Sequence, residues 1–144
     1  MPEPNLTKFE TICRRIRLNI PSEKRWSWDE KFGHALVIFE KEDRELVLLP
    51  IALEFEQKWD MDTIDRSSPQ ISAFVQSAFG LMPGQDIFVA QDSAHTELVL
   101  YATCWPWGDG DNFSLRVGLF SPPSSDVAPG QIRRLLSQWL PLQA

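Results

Sequence analysis

The sequence predicts an α+β domain: an antiparallel sheet with three helices packed against it, in the order α-β-β-(β)-α-β-β-β-α. Two observations lead there. In three separate stretches apolar residues recur at three- and four-residue spacing, the period of a helix with one buried face. Between them, short apolar or alternating runs are joined by brief polar turns, which brings successive strands together antiparallel.

The first helix is carried by Leu6, Phe9, Cys13 and Ile16, with Thr7 and Glu10 spaced as a capping box and Asn5 as a competing cap. Arg14, Arg15 and Arg17 fall late in it, where cations suit the negative end of the helix dipole. Ala35–Phe39 and Leu46–Leu49 are continuous apolar runs joined by the charged segment Lys41–Arg44, a hairpin pattern. Ile51, Leu53 and Phe55 then alternate with other residues. The second strand therefore continues past Pro50 or breaks there, since proline cannot donate to a ladder. Ser68 can cap a middle helix with Pro69 at its first position, the stripe Ile71, Phe74, Val75 and Ala78, and Gly80 as its stop. Ile87–Val89 and Leu98–Ala102 flank the turn Gln91–Ala94, a second hairpin. Phe113, Leu115, Val117 and Leu119 alternate as a strand with one buried face. Pro129 opens a last helix with Ile132, Leu135, Leu136 and Trp139 on one side, and Pro141 ends it.

At 144 residues the chain is long enough to bury roughly two thirds of its unfolded surface, so one domain over residues 1–144 is expected. The net charge of −6 argues against a nucleic-acid or anionic-membrane surface. The charge is uneven: residues 1–26 carry +3 and residues 27–65 carry −7. No apolar run approaches the ~20 residues of a membrane span. Met1–Asn5 lacks the basic and apolar regions of a secretion signal, which predicts a cytoplasmic location.

Side chains capable of chemistry are scattered. There is no Gly-x-Ser-x-Gly elbow, and nothing local brings Cys13 or Cys104 to His34 or His95. Both cysteines sit in apolar stretches and read as small buried hydrophobes. His95-Thr96-Glu97 is half of a zinc-deaminase motif without its cysteines, and Asp109–Asn112 reads as a solvated turn rather than a calcium loop. Asp29-Glu30 and Asp60, Asp62 and Asp65 carry no sign of the burial that acid catalysis needs. The expectation is a non-catalytic protein with no metal ligands and no cofactor. Trp26, Trp28, Trp105 and Trp107 stand out instead, either covering the ends of the sheet or contacting a partner.

The order of elements over residues 5–104 resembles the small acidic type III secretion chaperones of the Tir-chaperone class. The closest local likeness is Gly84–Leu100; the strand Phe113–Phe120 is an addition to the family's order. The resemblance implies a cytoplasmic homodimer, paired through the middle helix (Ile71, Phe74, Val75, Ala78) or an edge strand. It further implies binding of an extended segment of a secreted effector, by analogy on Ile51, Leu53 and Phe55 with the Trp105/Trp107 corner. Independently of any resemblance, a small acidic α+β domain also suits an immunity or antitoxin protein that neutralises a basic toxin.

Overall fold

The computed structural model describes residues 6–21, 24–78, 85–92, 95–106, 110–121 and 127–142. In chain order these form α1 (Thr7–Asn19), β1 (Trp26–Asp29), β2 (His34–Glu40), α2 (Arg44–Glu54), β3 (Gln57–Trp59), α3 (Pro69–Ala78), β4 (Ile87–Asp92), β5 (His95–Pro106), β6 (Asn112–Phe120) and α4 (Pro129–Trp139). The strands make one antiparallel sheet, ordered β1-β2-β6-β5-β4-β3. The α+β class and the antiparallel sheet are as the sequence predicts.

Strand alternation divides the interior in two. Ala35, Val37 and Phe39 of β2, Leu98, Leu100 and Ala102 of β5, and Leu115, Val117 and Leu119 of β6 face one side. There they meet Phe9, Ile12, Cys13 and Ile16 of α1, Val47 and Ile51 of α2, and Leu135, Leu136 and Trp139 of α4. Residues of opposite parity, Ile87, Val89, Val99 and Tyr101, meet Ile71, Phe74 and Val75 of α3 on the other side. The sheet is thus the middle of three layers, and each fully buried aliphatic or aromatic side chain contributes roughly 1.5–3 kcal/mol.

Several local expectations hold. The hairpin β4–β5 pairs Ile87 with Thr103 and Val89 with Tyr101. The Ser68 hydroxyl accepts the Ile71 N–H at 3.3 Å, capping α3 with Pro69 at its first position. Gly80, the expected stop, lies outside the described residues.

Others are corrected. Leu46–Leu49 with Ile51, Leu53 and Phe55 is helix α2 with its C-cap, so the expected first hairpin does not form. Val47, Ile51 and Phe55 are spaced by four and buried, which is a helical stripe. Leucine, alanine and glutamate around them are strong helix formers. Trp26 and Trp28 lie in β1, a strand the sequence pattern does not predict, and β1 pairs with β2 across the turn Glu30–Gly33. The Asp29 carboxylate accepts the Lys31 and Phe32 N–H groups there, and Gly33 takes a φ of +70° that glycine allows. Leu6 is the N-cap of α1, so Thr7 lies inside its first turn rather than at the cap. Among the described residues there is therefore a fourth α-helix, α2, where strand was expected.

Candidate functional site

The titratable side chains that come together lie on the α3 side of the sheet, where strand parity gathers Asp29, His34, Tyr101 and Arg116 from four strands. The Arg116 guanidinium ion-pairs with Asp29 and donates to the Ser114 hydroxyl at 3.1 Å, and its centre lies 3.9 Å from the Trp105 ring centroid. His34 is 0% exposed, with Nε2 3.1 Å from Arg116 Nη1 and Nδ1 2.9 Å from the Tyr101 hydroxyl. Arginine can only donate, so His34 Nε2 must accept, and the proton of the neutral ring sits on Nδ1 and is donated to Tyr101. Phe32 stacks on the imidazole at 5.7 Å and Trp105 meets it edge-on.

Electrostatics follow from this enclosure. Burial first, and then the positive charge of Arg116, push the His34 pKa down to about 4 against the opposing pull of Asp29. Burial alone would raise the Asp29 carboxyl. The Phe32 N–H, the Arg116 guanidinium and the Lys31 N–H outweigh it and hold the carboxyl below its usual range. Burial raises the Tyr101 phenol. It also raises Cys13 strongly, and pushes Cys104 up to about 11 despite Arg44 nearby. At neutral pH the chain thus holds a neutral imidazole, a protonated phenol and two protonated thiols. That arrangement locks strands β1, β2, β5 and β6 together, and it offers no activated nucleophile among the described residues.

The exposed apolar chemistry is elsewhere. On the outer face of α2, Leu46, Leu49 and Leu53 are 72%, 69% and 80% exposed, at spacings of three and four residues. An outward helix face is ordinarily polar, so a leucine stripe there is an unpartnered surface. Beside it runs a groove of about 360 Å³, lined by Leu48, Leu49, Ala52 and Phe88 together with Arg44, Glu45, Lys58 and Asp86. Pro50 in the helix interior has no N–H for the Leu46 carbonyl.

The charges around the stripe are unequally matched. Lys41 pairs with Asp111 at 3.7 Å and Lys58 with Asp86 at 3.6 Å, while Arg44 sits 5.2 Å from the Phe113 ring centroid. Glu54 and Glu56 pair with Arg15 and Lys8 of α1. Among the described residues Glu42, Asp43 and Glu45 have no ion pair.

Of the residues expected at a partner surface, only Leu53 lies on this stripe. Ile51 and Phe55, at 1% and 7% exposed, face the core, because a helix turns alternate residues to different sides where a strand would keep them together. Trp105 is half-buried over Arg116, and Trp107 lies outside the described residues. Ile71, Phe74 and Val75, expected at a dimer interface, are buried in the chain's own core under the sheet. Phe74 packs 4.5 Å from the Phe120 centroid and 4.9 Å from that of Tyr101. Ala78 ends α3, and its side chain lies outside the described ones. Sequence reasoning missed Leu46 and Leu49, whose signal was the four-residue spacing of Val47 and Ile51, which turns both leucines outward.

Compared with protein-family models, curated proteins and solved structures, the chain matches none. Among the described residues no helix is long and apolar enough to cross a membrane, and no cluster of His, Cys, Asp and Glu could hold a metal ion.

Proposed function

We propose that the chain is a non-catalytic, chaperone-like protein-binding domain that holds a segment of a partner protein on the outer face of α2. The observation that carries this reading is the exposed stripe Leu46, Leu49 and Leu53 beside an apolar groove. Water contact with three leucines is unfavourable, and a partner side chain in the groove removes it. The sheet edges support a helix face over strand addition. β3 is only three residues long, and the β1 edge is bridged at Trp26 by Leu142.

The test is selection of displayed random peptides on the folded domain, repeated with the double variant Leu49→Glu/Leu53→Glu. Peptides that bind the native chain and are lost with the variant, at unchanged circular dichroism, are the expected result. Absence of any enriched peptide, or binding indifferent to the variant, overturns the reading.

A further inference from the structure

We infer that the segment held on α2 is a basic amphipathic helix, an inference that rests on the protein-binding reading above. The geometry points to a helix because the stripe presents Leu46, Leu49 and Leu53 at the spacing with which helices interlock. The eleven residues of α2 give a contact of roughly three turns.

Charge selects the occupant. The cations bordering the stripe are each engaged, Lys41 with Asp111, Lys58 with Asp86 and Arg44 with the Phe113 ring. Glu42, Asp43 and Glu45, at its N-terminal end, have no ion pair among the described residues. Of these, Glu45 falls four residues before Leu49 within α2 and lines the groove beside it, and Glu42 is exposed in the 3-10 turn that leads into the helix. Lysine or arginine beside an apolar stripe complements this surface. A second copy would bring together two segments 27–65 that each carry −7, and an anionic bilayer would be repelled.

The probes are labelled helical peptides of about four turns: leucine with lysine, leucine with glutamate on the same stripe, and a scramble of the lysine peptide that destroys the stripe. Binding is read by fluorescence anisotropy at about 50 and about 500 mM salt. The lysine peptide should bind about tenfold more tightly than the glutamate peptide and the scramble, with the preference over glutamate shrinking at high salt. The charge reversal Glu42→Lys/Glu45→Lys should invert that preference, and Leu49→Glu/Leu53→Glu should abolish binding of the lysine peptide. Equal binding of the lysine and glutamate peptides overturns the inference and leaves the protein-binding reading standing. If the scramble binds as well as the lysine peptide, the attraction is charge alone and the helix is wrong. Binding of none of the peptides removes the inference, while the display selection judges the reading separately. Self-association lost with Leu49→Glu/Leu53→Glu, or sedimentation with phosphatidylserine vesicles, replaces the inference with a second copy or a membrane.

Discussion

At the scale of single residues, the most constrained group is His34. Its neutral form is imposed by a neighbour that can only donate, by full burial and by the Arg116 charge, with its pKa pushed down to about 4. Free in the unfolded chain, the same imidazole takes up a proton near its ordinary 6.5. Between those values the unfolded state binds the extra proton, so stability must fall as pH drops from about 6.5 towards about 4. The loss amounts to at most roughly 3 kcal/mol. Asp29, held below its usual range, adds a separate loss only at lower pH, as it too protonates. Urea midpoints measured across this range should fall from about pH 6.5 downward in the native chain, while His34→Gln should hold level until the approach to about pH 4, where Asp29 and Asp60, both held below their usual range, lower it as well. A parallel decline in both proteins would remove His34 as its source. None of this cluster was legible in the sequence, because His34 and Tyr101 are 67 residues apart and only strand register brings them together. Register also explains Gly118. It is the cross-strand partner of Tyr101, and a Cβ there would collide with the tyrosine ring and hydroxyl.

At the scale of elements, α2 shows what a short apolar run conceals. Leu46–Leu49 is uniformly apolar, so neither period is visible within it, and Pro50 looks like the end of a strand rather than the middle of a helix. Proline in a helix interior costs about 3 kcal/mol, a cost that burial of Val47, Ile51 and Phe55 offsets. The other helices were legible because their stripes are separated by polar residues and bounded by Ser68, Pro69, Pro129 or Pro141. The two faces of α2 make opposite predictions. Ile51→Ala should destabilise the chain by about 2–5 kcal/mol, since it removes a side chain packed between helix and sheet. Leu49→Glu or Leu53→Glu should change stability by no more than about 0.5 kcal/mol. Chemical denaturation of the three variants checks both. A strongly destabilised Leu53→Glu would mean that the leucine face is packed within the chain rather than offered to a partner.

At the scale of the whole molecule, the class of fold was readable but the strand order was not. Placing β6 between β2 and β5 needs a pairing of Ala35 with Val117 that no local pattern encodes. The same three-layer arrangement bears on self-association. The middle helix expected to pair two copies has Ile71, Phe74 and Val75 packed against the chain's own sheet, so these three side chains are already covered within the chain. The remaining apolar stripe lies in the segment 27–65, which carries −7, and two copies meeting there would bring like charges together. The chain should therefore run as a 16.5 kDa monomer at low salt, with self-association emerging only when salt screens that repulsion. Size-exclusion chromatography with light scattering, over about a tenfold range of concentration at low and high salt, measures this directly. A dimer that persists at low salt and resists dilution would mean that apolar contact outweighs repulsion on this surface. If Leu49→Glu/Leu53→Glu then restored the monomer, α2 would be the seat of that dimer.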